Sequence, residues 1–280
     1  MISGALFLNP QKTITKDDVL RKYVKRLLIA YIFWWLFYSL MSVTIASLSA
    51  RSIDFDISYF VPYYHLWYLP MLMGVYILIP VLKKIVTDLD LVRYALLLWI
   101  VYITLGFICT IGIDIPQISI LFTLNRIIGF AGYFLLGYYV ANNSIDKRYK
   151  YAVYSMGILG AIIMMTANIV GPILKGESDE RFVNDLSPHV IMMALCVFVL
   201  IKENVHKSIV LNKVVRYVNK DLFGIYLIHA MWLFIFNMIL SHFFGHHVLL
   251  IPIIATAVFV ASMFTCKIMR KIPYMNRVVE

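Results

Sequence analysis

The chain has 280 residues, of which 62% are hydrophobic and only 14% are charged. Soluble domains average about 45–50% apolar and about 25% charged residues, whereas the mean hydropathy of this chain is +0.83. These values exclude a soluble globular enzyme, and they exclude an intrinsically disordered chain because disorder requires low hydrophobicity. The net charge of +10 does not indicate a nucleic-acid partner, since the basic residues form short clusters between apolar runs.

Long apolar runs predict an all-α protein that crosses a membrane several times. A membrane-spanning helix needs about 20 mainly apolar residues. We predict about eight spans that form one helix bundle, with residues 1–280 as a single integral-membrane domain. The predicted spans are 27–49, 66–82, 94–113, 119–141, 151–171, 187–201, 221–240 and 248–267.

Basic residues are distributed unequally over the connections between these spans. All but four of the 25 Lys and Arg residues lie on the side that also holds both ends of the chain. Cytoplasmic connections of membrane proteins carry the excess of Lys and Arg. We therefore predict a multi-pass protein with both termini in the cytoplasm. The four basic residues on the opposite side are Arg51, Arg126, Lys175 and Arg181.

The first eight residues, MISGALFL, form an apolar stretch that is too short to span a bilayer. This stretch lacks the basic beginning of a signal peptide. We interpret it as the last two turns of a helix, and we expect a preceding segment that carries the beginning of that helix.

Three ionisable side chains lie in or at the edge of predicted spans, where such groups are costly and are candidates for function. His229 lies eight residues into the seventh span, about 12 Å deep, with Tyr226 one helical turn away. Arg126 lies about seven residues into the fourth span, roughly 10 Å from its outer end. His65 stands at the outer end of the second span among Tyr63, Tyr64, Trp67 and Tyr68.

Each of these residues also has a purely structural interpretation. A histidine in a span can form a hydrogen bond with a neighbouring helix, and an arginine can extend its side chain to the membrane surface. Aromatic residues are common at membrane interfaces. From the residues alone, both interpretations stay open.

No combination of residues in the sequence predicts a metal site. His242, His246 and His247 are close together before the last span, but no carboxylate accompanies them. The three cysteines occur singly, each inside an apolar run, without CxxC spacing. These cysteines are Cys109, Cys196 and Cys266.

Five runs of the sequence, in this order, resemble the bacterial integral-membrane acyltransferase type 3 family, whose members O-acylate sugars of envelope polysaccharides. The similarity covers essentially the whole chain, and HLWYL followed by FGIYLIH is its most specific part. The runs are MISGALFL at 1–8, KRLLIAYIFWWLFYSL at 25–40, YYHLWYLPMLMGVYILIPVL at 63–82, RIIGFAGYFLLGYYVAN at 126–142 and FGIYLIHAMWLF at 223–234.

The resemblance implies an enzyme of the bacterial cytoplasmic membrane with the bilayer and an envelope sugar or polysaccharide as its partners. It would move an acyl group, expected to be acetyl, from cytoplasmic acyl-coenzyme A to a sugar hydroxyl. His65 and His229 are the candidates for the catalytic residues. By resemblance, the residues that bind the substrate are Trp67, Tyr68, Arg126 and Tyr226. Those that bind the coenzyme A phosphates are Lys22, Lys25 and Arg26.

The sequence departs from the family at its beginning. Members usually have ten spans, and their first helix carries an arginine and a histidine thought to be catalytic. MISGALFL corresponds to the end of the second helix, so the resemblance implies an N-terminally shortened member. We therefore expect these 280 residues alone to transfer little acyl group. The alternatives are an exporter of exopolysaccharide or lipid-linked sugar and an inactive, truncated relative.

Overall fold

The structure is a computed structural model, and it describes residues 1–49, 57–112, 119–175, 182–204, 209–244 and 250–279. Within these ranges the chain is helical with short turns, and no strand occurs there. The predicted all-α architecture is therefore confirmed. The histidines His246 and His247, the side chain of His242 and the loop residues Arg51 and Arg181 lie outside the described residues.

Eleven α-helices occur within the described ranges, and eight of them have 17 residues or more. In chain order, the helices are α1 (Ile2–Phe7), α2 (Lys25–Ser49), α3 (Tyr68–Ile85), α4 (Leu89–Gly112), α5 (Ser119–Asn142), α6 (Lys147–Lys175), α7 (Pro188–Asn204), α8 (Ile209–Asn219), α9 (Leu222–Phe244), α10 (Leu250–Met269) and α11 (Asn276–Val279).

Each predicted span corresponds to one of the eight long helices, and the ends differ by a few residues. In the described part of the chain, six of these helices are long and apolar enough to cross a membrane, namely α2, α3, α4, α6, α9 and α10. Helix α7 has 17 residues and is about 26 Å long, close to the thickness of the hydrocarbon layer at roughly 30 Å. The exact number of spans and the side of the termini stay predictions.

Cysteine labelling tests the predicted topology directly. In a variant without the native cysteines, Ser144→Cys should react with a membrane-impermeant maleimide only after the cells are permeabilised. Ser178→Cys should react in intact cells, because residue 178 belongs to the connection that carries few basic residues and several carboxylates. Labelling of residue 178 only after permeabilisation would contradict the predicted order of spans.

Packing divides the chain into two compact units. Unit one comprises residues 1–19 and 74–207, and unit two comprises residues 20–73 and 208–280. Helix α3 contributes to both units, because the division falls between Met73 and Gly74. The prediction of one evolutionary domain over residues 1–280 stays a prediction.

In unit one, α1 packs against α5 at positions where only glycine fits. A Cβ atom on Gly4 would lie 2.1 Å from the carbonyl oxygen of Phe134, and one on Gly137 would lie 2.1 Å from that of Met1. Small residues of this kind allow helix backbones to approach closely in membranes. The helix predicted for MISGALFL is thus present over Ile2–Phe7 and is part of the packed bundle.

The C-terminal end of α5 in unit one is satisfied by a lysine from α7. The Lys202 ammonium donates to the carbonyl oxygens of Val140 at 2.7 Å and of Asn143 at 2.9 Å. The last carbonyl groups of a helix have no partner within the helix, and a cation is favourable there. This interaction fixes α7 against the end of α5.

The core of unit two is built from α2, α9, α10 and α11. The Trp34 indole in α2 donates to the carbonyl oxygen of Val278 in α11 at 2.9 Å. One turn further along α2, the Tyr38 hydroxyl donates to the carbonyl oxygen of Leu227 in α9 at 2.7 Å. Buried tryptophan and tyrosine normally place their polar ends against a partner in this way. Both bonds tie α2 to the rest of the unit.

A buried ion pair lies at the beginning of α9. The Asp221 carboxylate, only 2% exposed, lies 2.8 Å from a guanidinium nitrogen of Arg270, which follows α10. The backbone carbonyl of Asp221 also accepts from the Ile225 N–H at 2.8 Å. Asp221 therefore links the first turn of α9 to the end of α10.

The predicted loop at 202–220 is partly wrong, because residues Ile209–Asn219 form helix α8. The physical reason is visible in its sequence, IVLNKVVRYVN, where apolar and polar residues recur at helical spacing. The basic residues of this connection lower its mean hydropathy. A low mean hydropathy indicates a segment between spans, but it does not indicate whether that segment is a loop or a helix.

Candidate functional site

His65 occupies a 3₁₀ turn, Tyr64–Trp67, that precedes α3. The side chain is 5% exposed. Within the described residues, neither ring nitrogen has a hydrogen-bond partner of normal geometry, although the backbone of Leu227 is near enough to act on the ring. A buried polar group without a partner costs about 1–3 kcal/mol. Such a cost is a common mark of a functional position.

His229 lies in α9, half-buried, and its orientation is fixed by the backbone. Its Nδ1 forms a hydrogen bond with the carbonyl oxygen of Tyr226, three residues earlier. A carbonyl oxygen only accepts, so the bond geometry assigns the proton to Nδ1. In the neutral imidazole, Nε2 then carries the lone pair and is a proton acceptor.

The structure brings the two histidines into contact. The ring centroids of His65 and His229 are 5.0 Å apart, and the ring planes are inclined by 71°. Tyr226 contacts both histidines, because its hydroxyl donates to the backbone carbonyl of His65 while its own carbonyl accepts from His229. Residues from the second and seventh predicted spans thus form one site in unit two.

Tyrosine rings surround the histidine pair. The Tyr38 ring meets His65 edge-on at 5.1 Å and stacks on Tyr63 at 4.8 Å. The Tyr64 ring lies 5.4 Å from His65, and the Tyr68 ring lies 5.3 Å from Tyr226. The hydroxyls of Tyr38 and Tyr226 donate to backbone carbonyls, so these two rings help to fix the arrangement of the histidine pair.

Trp67 lies next to this cluster. Its described ring contact is with Tyr68, edge-on at 6.1 Å between centroids. Of the six residues first predicted as catalytic or substrate-binding, His65, Tyr68, Tyr226 and His229 are in mutual contact and Trp67 adjoins them. These contacts join the five residues in one cluster, and both their functional roles and the interpretation as an interface belt stay predictions.

Arg126 belongs to unit one, where it lies half-buried in α5. Its electrostatic partner is Asp185, whose backbone carbonyl also accepts from the Tyr133 hydroxyl at 2.7 Å. Although Asp185 keeps part of its surface in solvent, burial raises the pKa of its carboxyl above the ordinary value, and the charge of Arg126 opposes that rise. The role of Arg126 in substrate binding stays a prediction.

The basic residues predicted to bind coenzyme A lie at the beginning of α2 in unit two. Lys22, Lys25 and Arg26 are all exposed. The Arg26 guanidinium lies 5.7 Å from the centroid of the Phe223 ring, and the Lys22 ammonium lies 5.7 Å from that of Tyr23. Their charged ends remain accessible to an anionic ligand.

A further histidine, His189, provides a structural contrast. It stands in the first turn of α7 in unit one, 4% exposed, with its Nε2 2.7 Å from the carbonyl oxygen of Phe182. This histidine has a backbone partner but no histidine neighbour among the described ring contacts. It fits the role of a structural histidine at the beginning of a helix.

Comparison with known proteins shows the family of the chain. The model of a family described as an acyltransferase domain, the acyltransferase 3 family, matches residues 1–269. The chain belongs to the acyltransferase 3 family. No curated protein and no solved structure matches the chain. With its apolar helices, this acyltransferase-family chain is a multi-pass membrane protein of the transferase class.

The sequence pattern does not single out one residue of the candidate site. Tyr38 lies 13 residues inside α2 and contacts both His65 and Tyr63. The signal was present as Trp34 and Tyr38, two amphipathic aromatics one helical turn apart in the middle of an apolar run. Both residues donate to backbone carbonyls within the core of unit two.

Proposed function

We propose that this acyltransferase moves an acyl group, expected to be acetyl, from cytoplasmic acyl-coenzyme A to a hydroxyl of an envelope sugar or polysaccharide in the bacterial cytoplasmic membrane. The observation that carries the proposal is the contact between His229, with a proton-accepting Nε2, and buried His65 inside a ring of tyrosines. A proton acceptor of this kind is what the attack of a hydroxyl on a thioester requires.

In the proposed reaction, His229 acts through Nε2, the nitrogen that carries the lone pair. Nε2 of His229 accepts the proton of the sugar hydroxyl as the oxygen attacks the thioester carbonyl. The C–S bond then breaks, the ester is released, and the coenzyme A thiolate takes up the proton. In the neutral imidazole, the Nδ1–H bond to Tyr226 selects the tautomer in which Nε2 carries the lone pair.

His65 supports this step as a second imidazole in contact with the first. A neutral imidazole has one N–H donor and one acceptor, and neither nitrogen is satisfied by a normal hydrogen bond in the described part of the protein. The N–H of His65 is therefore available for the oxyanion that develops on the thioester, where a positioned donor is most effective.

The basic cluster and the histidine pair have a spacing that suits coenzyme A. Arg26 and Tyr38 both lie in α2, twelve residues apart, which corresponds to about 18 Å along the helix. Tyr38 contacts His65, which in turn contacts His229. About this length therefore separates the exposed cations from the histidine pair. The extended phosphopantetheine arm of coenzyme A is of comparable length, and its phosphates would meet Lys22, Lys25 and Arg26.

Deletion of the gene in the organism that encodes it tests the proposal. The acetyl content of its envelope polysaccharide should fall, and membranes of the wild type should release coenzyme A thiol from acetyl-coenzyme A when that polysaccharide is added. Reintroduction of the gene at its own locus should restore both the acetyl content and the release of coenzyme A thiol. Accumulation of unmodified glycan inside the cell, with no change in acetyl content, would instead support an exporter.

The coenzyme A part of the proposal has its own measurement. Lys22→Gln/Lys25→Gln should raise the KM for acetyl-coenzyme A about tenfold with kcat nearly unchanged, because charge-assisted bonds to phosphate are lost. Arg26 stays intact because it packs against Phe223. The control is Lys147→Gln/Arg148→Gln at the beginning of α6 in unit one, which removes the same charge. An equal rise in both variants would contradict a specific phosphate site.

A further inference from the structure

Helix α8 in unit two has two chemically different faces. At about 100° per residue, Val215 and Val218 lie within about 60° of each other, whereas Lys213 is about 200° from Val215. Arg216 shares the polar side with Lys213. Residues 209–220 include no Asp or Glu, so all charged residues of this segment are cations.

The apolar side of α8 is open. On this side Val215 is 52% exposed. Exposed apolar side chains next to exposed cations are typical of helices that lie in a membrane interface.

Contacts with α10 hold α8 at the end of two membrane-spanning helices. The Lys267 ammonium, in the last turn of α10, lies 3.9 Å from the centroid of the Tyr217 ring and donates to its hydroxyl. The Arg270 guanidinium donates to the carbonyl oxygen of Lys220. Two residues after Lys220, α9 begins. Helix α8 is thus attached at the level where α9 and α10 leave the membrane.

We propose that α8 lies flat in the headgroup region of an anionic phospholipid leaflet. Val215 and Val218 would enter the boundary of the acyl chains, and Arg216 and Lys220 would face the lipid phosphates. Each cation near an anionic leaflet adds its own electrostatic attraction, whereas the short apolar face alone binds a membrane weakly. Binding therefore depends on the lipid charge. This role is separate from acyl transfer and does not require the proposed reaction.

The test uses the full chain in nanodiscs, with the native cysteines replaced by alanine and bimane attached at a single cysteine. In discs with phosphatidylglycerol, the label at Val215→Cys should be protected from iodide, whereas the label at Lys213→Cys on the opposite face should stay accessible. In discs of phosphatidylcholine alone, both labels should be quenched. Equal quenching of Val215→Cys in the two lipids would overturn the proposal.

A titration measures the part played by charge. Short-chain phosphatidylglycerol is added to the detergent-solubilised protein labelled at Val215→Cys, and the midpoint of the fluorescence change is recorded. Arg216→Gln/Lys220→Gln should raise that midpoint about 30-fold, since each cation near the surface contributes a factor of about five. Arg216→Lys/Lys220→Arg, which keeps the charge, should leave it unchanged. An equal response to inorganic phosphate, or no shift in the neutral variant, would refute a lipid site.

Discussion

In the protein expressed from its own locus, replacement of His229 by alanine should lower acyl transfer by about 100-fold or more while the protein remains folded. Loss of a positioned general base has an effect of this size. The hydrogen bond that His229 makes with Tyr226 lies within one turn of α9, so its removal does not disconnect helices. The measurement is the release of coenzyme A thiol by membranes in which the protein is expressed from its own locus, divided by the amount of folded protein.

Two further variants separate proton transfer from hydrogen bonding. His229→Gln keeps an N–H donor for the Tyr226 carbonyl but cannot accept a proton near neutral pH, so transfer should stay as low as in His229→Ala. His189→Ala removes a histidine that also bonds to a backbone carbonyl, but in unit one. It should lower thermal stability and leave transfer per folded molecule unchanged. If acyl transfer by His229→Gln recovered to within tenfold of the unsubstituted protein, His229 would act only as a hydrogen-bond donor and not as a proton acceptor.

Replacement of Asp221 by alanine should cost about 3 kcal/mol of folding free energy. The variant leaves the Arg270 guanidinium, whose side chain is 20% exposed, without the carboxylate 2.8 Å away. Breaking a buried ion pair on one side has a cost of this order. The measurement is thermal unfolding of the purified protein in detergent, followed by the fluorescence of its tryptophans.

The matched control is a second ion pair with greater exposure. Glu203 lies 2.8 Å from Lys150 in unit one, and the two side chains are 36% and 24% exposed. Surface pairs contribute about 0–1 kcal/mol, so Glu203→Ala should hardly shift the unfolding temperature. Equal shifts in Asp221→Ala and Glu203→Ala would contradict a special role for the buried pair.

The fold was predictable because run length and hydropathy suffice to find helices in a membrane protein. All eight predicted spans coincide with helices, and even the short stretch at 1–8 is helical over Ile2–Phe7. Helix α8 was not predictable from run length and hydropathy, because its apolar face is narrow and its cations lower the mean hydropathy of the segment. Division into two packing units was also not predictable, since hydropathy contains no information on which helices pack together.

The candidate site was predictable residue by residue but not as an arrangement. His65 and His229 stood out because an ionisable group in an apolar run is costly. Their contact depends on the rotation of α9 and on the 3₁₀ turn at Tyr64–Trp67, and neither leaves a pattern in the sequence. Tyr226 and His65 are 161 residues apart in the chain, so only the folded structure shows that the tyrosine holds both histidines.

The side chains that shape the core and the site of unit two are anchored to main-chain carbonyls. Trp34 and Tyr38 bond to Val278 and Leu227 in this way, and His229 bonds to Tyr226. Every residue type supplies a carbonyl oxygen. Substitution of Leu227 or Val278 by another apolar residue of similar size should therefore leave the orientation of the Trp34 and Tyr38 rings unchanged.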